Sequence, residues 1–146
     1  MMAVTLTRAH VLHAARNATK ENSVPLGYVV GALPSFTAPG RGFALIEDGV
    51  VYAVAGMAEL WDGVVEAWII PTQDIEKKKL KTSRALWREF HSMADRLKPH
   101  RMQTSVRHDF DAAHRLVRFL GFESEGLMKK YGPDGLDYER YAKWTL

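Results

Sequence analysis

Val64-Val65-Glu66-Ala67-Trp68-Ile69-Ile70, followed by Pro71, reads as a β-strand with apolar side chains on both faces. Val64, Glu66, Trp68 and Ile70 share one face, and Val65, Ala67 and Ile69 share the other. A strand of this kind is covered on both sides and sits inside a sheet. Glu66 is the one ionisable residue in it. Pro71 ends the strand, because it cannot donate to a ladder.

Upstream lies an antiparallel meander. Phe43–Glu47 and Val50–Ala58 flank Asp48-Gly49, a hairpin signal, and Asp62-Gly63 turns the chain into Val64–Ile70. Downstream, Thr72–Lys79 leads into an amphipathic helix over Leu80–Leu97, with Leu80, Trp87, Phe90, Ala94 and Leu97 as its apolar stripe. Pro99 closes that helix, and His100–Val106 reads as another strand with Met102, Thr104 and Val106 on one face. Asp109 or Asp111 can cap a further helix, whose buried stripe is Ala113, Leu116, Val117 and Leu120, with Gly121 as its stop. A last hairpin is expected from Leu127–Tyr131 and Leu136–Trp144, with Leu136, Tyr138, Ala142 and Trp144 alternating against Asp137, Glu139, Tyr141 and Lys143.

Near the start, Thr7 can cap a helix over Thr7–Thr19 carrying Val11, Leu12, Ala15 and Ala18. Asn22–Arg41 reads as an irregular connection, with room for a short strand or turn at Leu26–Leu33. A strand followed by a helix and a second strand implies a right-handed crossover and a parallel pair. The expected architecture is therefore mixed α/β: a central mixed sheet with one parallel strand pair and helices on both faces.

The chain has 146 residues, 47% hydrophobic and 25% charged, which suits one globular domain over 1–146. It has no cysteine, so disulfide scaffolds, thiolate metal sites and cysteine nucleophiles are excluded. No apolar run reaches the roughly 18 residues of a membrane span, and Met1–Leu12 does not read as a signal peptide; the expected location is the cytoplasm. His10 and His13 could share a metal but lack an evident third ligand.

The net charge of +3 is uneven. Residues 1–73 carry −2 and residues 74–146 carry +5. The excess gathers at Lys77, Lys78, Lys79, Lys81, Arg84 and Arg88. Such a run is either a solvated helix face or a landing place for an anion: a nucleotide, a phosphorylated cofactor or nucleic acid. A nucleic-acid partner has the basic run and Trp87, Tyr131, Tyr138 and Tyr141 in its favour, but no DNA- or RNA-reading motif accompanies them.

The order of elements resembles the GNAT superfamily, the acyl-CoA-dependent N-acetyltransferases. Its Asn-x-x-Ala-x-x-Leu-Tyr-x-x-x-Gly-Phe pattern is approached by Phe110–Phe122, where Ala113, Leu116, Gly121 and Phe122 match in register. Phe110 stands for the Asn and Val117 for the Tyr. The resemblance covers about residues 43 to 146, and more weakly the first helix. The ending Gly132-Pro133-Asp134-Gly135-Leu136-Asp137-Tyr138-Glu139-Arg140-Tyr141 is similar to small phage-encoded GNAT-like proteins, including internal virion proteins of short-tailed phages.

This resemblance implies acetyl-CoA as cofactor and an amine as acceptor. Backbone groups of Trp68, Ile69 and Ile70 would pair with the pantetheine arm as an added strand would. The family's cofactor loop, Arg/Gln-x-x-Gly-x-Gly/Ala, corresponds here to Asp74–Ser83, which has no glycine. Lys77, Lys78, Lys79 and Lys81 could neutralise the phosphates instead, and Thr82 and Ser83 could donate hydrogen bonds. The Tyr replaced by Val117 commonly protonates the leaving thiolate in that family. Here another group, water or nothing does so. Glu66 is the candidate general base, since burial near the thioester would raise its pKa usefully; otherwise it pairs with a buried arginine or faces solvent. His114 and Tyr138 are lesser candidates for proton donation, with structural roles as the alternative. Loss of both the glycine loop and the tyrosine also fits a GNAT fold that has given up catalysis for a structural or protein-docking role.

Overall fold

The computed structural model describes residues 1–20 and 36–144. The expected strand or turn at Leu26–Leu33 lies outside the described residues. The elements are β1 (Met2–Thr5), α1 (Arg8–Arg16), β2 (Gly42–Glu47), β3 (Val50–Trp61), β4 (Val64–Pro71), a 3-10 helix (Gln73–Lys78), α2 (Lys79–Leu97), β5 (Arg101–Arg107), α3 (Asp111–Phe119), β6 (Glu123–Met128) and β7 (Tyr138–Trp144). The strands form one seven-stranded sheet in the order β1-β2-β3-β4-β5-β7-β6. β4 and β5 are parallel, while β1–β2, β2–β3, β5–β7 and β6–β7 are antiparallel. The mixed α/β sheet with its parallel pair is present, and α2 is the crossover. No helix is long and apolar enough to cross a membrane among the described residues.

The chain divides into two compact units, Met1–Ala58 with Ala67–Arg96, and Glu59–Glu66 with Leu97–Leu146. In the first unit Thr7 caps α1 through a reciprocal pair. Its hydroxyl accepts from the His10 amide at 3.2 Å, and its own amide donates to His10 Nδ1 at 3.1 Å. His10 is therefore a capping residue, and no group of three metal-ligating side chains exists among the described residues. Val11 and Ala14 of α1 pack with Leu6, Ala44, Val54 and Ile70. Phe43 points to the opposite face of β2, where it meets Phe90 of α2 edge-on at 5.7 Å between ring centroids. Helices thus cover both faces of this part of the sheet. β1, for which the sequence reading has no strand, completes its edge by pairing with β2.

The buried side of α2 differs from the expected stripe. Thr82, Ala85, Leu86, Phe90 and Met93 are buried, whereas Leu80 and Trp87 are exposed. Each helical residue turns about 100°, so shifting the stripe from Trp87 to Leu86 rotates the buried face by that angle. Trp87 instead stacks on His91 at 3.9 Å.

In the second unit, β4 and β5 pair over Val64↔Arg101, Val65↔Met102 and Glu66↔Gln103. The Gly63 carbonyl accepts from the His100 and Arg101 amides at 2.8 and 3.1 Å, which fixes the entry to β5. β7 lies between β5 and β6. α3 is preceded by Phe110 at its cap position, with no side-chain cap, rather than by Asp109 or Asp111. Of its expected stripe, Val117 and the following Leu120 are buried and Ala113 and Leu116 half-buried, while His114, outside that stripe, is buried as well. The final hairpin is displaced from the expected one. β6 starts at Glu123 and stops at Met128, because Asp137 and Asp134 side chains capture the Lys130 and Leu136 amides at 2.8 and 2.9 Å. Nor does β7 alternate as expected. Tyr141 and Ala142 are both fully buried and Trp144 is exposed, since β7 is an inner strand covered on both faces at that point.

Gly49 and Gly63 share nearly the same left-handed φ, +77° and +80°, but only Gly63 has a neighbour, the His100 ring, where a Cβ would stand. Both substitutions should cost roughly 1–3 kcal/mol for the strained backbone, and Gly63→Ala should cost more than Gly49→Ala because it must also displace His100. Urea unfolding of the two variants measures the difference, and equal losses would contradict it.

Candidate active site

The ladder between β4 and β5 ends at Glu66 and Gln103, and β7 places Ala142 beside Gln103. Alternation then puts Arg140, two residues before Ala142, on the same face as Glu66. The side chains meet there. Arg140 Nη1 lies 3.4 and 3.3 Å from the two Glu66 carboxylate oxygens. Gln103 also hydrogen-bonds Glu66. The Gln103 side-chain oxygen accepts from Arg101 Nε at 2.9 Å, and Arg101 forks onto Glu125 at 2.5 and 3.1 Å. Tyr131 lies with its ring centroid 5.7 Å from the Arg140 guanidinium carbon.

Glu66 therefore has the arginine partner that was one of its two expected readings. The pairing does not set its titration. Burial pushes the Glu66 carboxyl above its ordinary value, and the attraction of Arg140 only partly offsets that. The Glu66 and Arg140 side chains retain 24% and 18% of their exposure, so water and small solutes still reach the pair. A carboxylate held this way binds a proton more tightly than an exposed one.

The opposite face of the same strands is built differently. Tyr141 is fully buried, and its hydroxyl lies 2.7 Å from His114 Nδ1. His114 Nε2 faces the carbonyls of Arg107 and His108, both at 3.1 Å, so it carries the hydrogen and Nδ1 accepts from Tyr141. Burial, helped by the nearby Glu139 carboxylate, pushes the Tyr141 hydroxyl up to about 12. His114 is thus satisfied as a structural tie between α3 and β7. Val117, one turn along α3, is buried and has no proton to offer. Tyr138 is half-buried, and burial raises its hydroxyl too.

The candidate cofactor residues fall in the first unit. Trp68 is half-buried against Phe36 at 4.4 Å, its indole nitrogen buried without a partner among the described residues. Gly56 makes room for it, since a Cβ there would come within 2.9 Å of the Trp68 ring. Ile69 is half-buried and Ile70 belongs to the core beneath α1. Past Pro71 the chain is pinned: the Thr72 hydroxyl donates to the Val51 carbonyl at 2.8 Å, and the Gln73 amide donates to the Asn17 carbonyl at 2.9 Å.

The basic run follows at once, and its lysines are partnered. Lys77 pairs with Asp74 at 2.8 Å and Lys79 with Glu76 at 2.7 Å, each three residues apart. Lys78 and Lys81 both reach Glu47, the last residue of β2, and hold its carboxyl well below the usual range. Two lysines on one carboxylate leave a positive surplus at the start of α2, which suits a phosphate. Thr82 is fully buried with its hydroxyl unpartnered among the described residues, and Ser83 is half-buried, so neither stands on the exposed side.

Arg140 and Gln103 have no site role in the sequence reading, and Tyr131 enters it only as a possible nucleic-acid contact. The available signal was a charged residue at an inward position of a half-apolar strand: Arg140 shares a face with Tyr138 and Ala142.

Comparison with known proteins places this geometry in a known architecture. No protein-family model and no curated protein matches the chain. Solved structures do. Ard1 from Thermoplasma volcanium superposes with a TM-score of 0.82 at 14% identity, covering 99% of this chain and 97% of that one. A ribosomal-protein-alanine N-acetyltransferase from Brucella melitensis gives 0.76 at 18% identity, covering 99% and 100%. A variant of the spermidine N-acetyltransferase SpeG from Vibrio cholerae gives 0.71 at 16%, covering 99% and 95%. These neighbours are GNAT acetyltransferases, and the chain shares their fold, its parallel strand pair included.

Proposed function

We propose that the protein is an acyl-CoA-dependent N-acetyltransferase in which Glu66 is the general base. The observation that carries this reading is Glu66 itself. It is a carboxylate at the end of the parallel ladder of a GNAT fold, still reached by water, with a pKa raised by burial.

When bound, acetyl-CoA supplies the activated acyl group. The residues of this chain fit it in part. The positive surplus where Lys78 and Lys81 converge on Glu47, with Lys77 and Lys79 beside it, would hold phosphates as point charges. The main chain of Trp68–Ile70 would carry the pantetheine arm, as the resemblance implies. The Thr82 and Ser83 amides are bonded within α2, so of this pair only the half-buried Ser83 hydroxyl is left to reach a phosphate. Glu66 takes a proton from the acceptor nitrogen as that nitrogen bonds to the acyl carbon and the carbon–sulfur bond breaks. The proton for the departing sulfur comes from water, because Val117 has none. The acceptor is an amine, and the cytoplasm is where such an enzyme would meet its substrates.

A second reading keeps the fold without the chemistry: a phage virion or protein-docking module. It is favoured by Val117 and by the fact that each lysine of the basic run already holds a carboxylate. A nucleic-acid partner is disfavoured because the pairing confines the surplus to the corner where Lys78 and Lys81 meet Glu47, and no DNA- or RNA-reading motif accompanies it.

Glu66→Gln separates these readings. It should lower turnover by about 10²–10⁴-fold while acetyl-CoA still binds in calorimetry. Full activity in the variant would remove Glu66 as base, and a wild-type protein that binds no acetyl-CoA would establish the docking module. In the wild type, kcat/KM should fall as pH drops through a carboxyl pKa above 4.5, since only the carboxylate accepts the proton. A Glu66→Gln profile retaining that acid limb would assign it to another group.

Lys79→Ala tests the phosphate contact without releasing Glu47. Exposed ion contacts of this kind are worth 0.2–1 kcal/mol, so CoA affinity should drop by about 1.5- to 5-fold, and less at high salt. No change at low salt would return Lys79 to a solvated face.

A further inference from the structure

We propose that Arg140 is a carboxylate-binding specificity residue, so that the acceptor is an amine bearing a neighbouring carboxylate, of which a free α-amino acid is the simplest case. The inference rests on Glu66 as base.

The Glu66–Arg140 contact is built to be exchanged. One guanidinium nitrogen faces both carboxylate oxygens at 3.3 and 3.4 Å, beyond the 2.7–2.9 Å of a strong charge-assisted bond. Arginine pairs best with a carboxylate through two parallel N–H groups. Here Nε and Nη2 donate no hydrogen bond to any described residue, so the bidentate edge is unused. The Tyr131 ring supports the guanidinium on one side, and Tyr131 is half exposed, so solvent reaches that end of the pair. Glu66 does not depend on Arg140 alone for its orientation, because Gln103 also holds it. Arg101, the other cation near Glu66, is already forked onto Glu125.

A plain amine entering this site must take Glu66 from Arg140 and leave a mostly buried guanidinium without a partner, which is costly. A zwitterion replaces what it removes. Its ammonium pairs with Glu66 and its carboxylate with the unused edge of Arg140, so one ion pair and one dipolar solute become two ion pairs. An α-amino acid carries its two charges on adjacent carbons, a spacing close to that of the Glu66–Arg140 pair it would bridge. Glu66 then takes one ammonium proton, the amine nitrogen bonds to the acyl carbon as the carbon–sulfur bond breaks, and the second proton of that nitrogen passes through water to the departing sulfur, so CoA leaves as the thiol. The product is an N-acyl amino acid.

The test compares alanine, leucine and phenylalanine with ethylamine, 3-methylbutylamine and phenethylamine, and with the three amino acid amides. Transfer is followed by release of CoA thiol, and binding of each compound to the wild-type protein by calorimetry. The amino acids should be preferred in kcat/KM by about 10- to 100-fold, the worth of a charge-assisted bidentate contact. They should also bind measurably where the amines do not. Arg140→Gln should collapse that preference to near unity, and Arg140→Lys should restore part of it. Equal or better use of the decarboxylated amines or amides, or an unchanged preference in Arg140→Gln, would overturn the inference and leave the acetyltransferase reading standing. A protein that binds no acetyl-CoA and acetylates nothing would overturn both.

Discussion

The three parallel rungs from Val64↔Arg101 to Glu66↔Gln103 are the constraint on which the chemistry of the second unit depends. Parallel pairing needs a crossover, and the nineteen residues of α2 provide it. The ladder fixes which face each side chain takes. A slip of one residue would send Glu66 to the face of Tyr141 and His114 and leave Arg140 without a partner. Gly63 secures the register from one end, by accepting the first amides of β5. β7 secures it from the other, by continuing the same alternation through Ala142 to Arg140.

Two carboxylates show how position sets charge chemistry in this chain. Glu47 ends β2 with two lysines converging on it, and its carboxyl is held well below the ordinary range. It remains a fixed negative charge down to strongly acidic pH. Its contribution to stability is therefore present above about 4.5 and is lost only as pH falls through the depressed folded value. Glu66 has one loosely placed arginine and less water, and its carboxyl moves the other way. The folded state then holds the Glu66 proton more tightly than the unfolded chain does. Its effect on stability is lost as pH rises from 4.5 through the raised value. The first carboxylate is a fixed anion, and the second holds its proton more tightly than an exposed carboxyl does.

Much of this was legible in the residues. The two-faced strand Val64–Pro71, the Asp-Gly turns and the Pro71 and Pro99 stops carry the strand–helix–strand order, and that order carries the parallel pair. The buried face of α2 was not legible, because Leu80, Trp87 and Ala94 mark a stripe as apolar as the one that is buried; Phe90 belongs to both, and only packing puts Leu86 and Met93 inside and Trp87 outside. The end of β6 was hidden for a different reason. Asp134 and Asp137 compete for backbone amides, which an apolar pattern does not register. Glu66 stood out as the lone charge in an apolar strand, but its partner lies 74 residues away, and no local pattern links the two. The lysine run announced positive charge but not its neutralisation, since Glu47 reaches it from another strand.

The balance at Glu66 between burial and Arg140 is open to direct measurement. Titration of the Glu66 carboxyl carbon by ¹³C NMR, in the wild type and in Arg140→Gln, reads the proton affinity on which the proposed role as base depends. A midpoint above 4.5 in the wild type, rising further when the guanidinium is removed, is the predicted result. A wild-type midpoint at or below 4.5 would mean that the arginine outweighs burial and holds Glu66 as a permanent ion-pair partner, which would contradict its role as the proton acceptor.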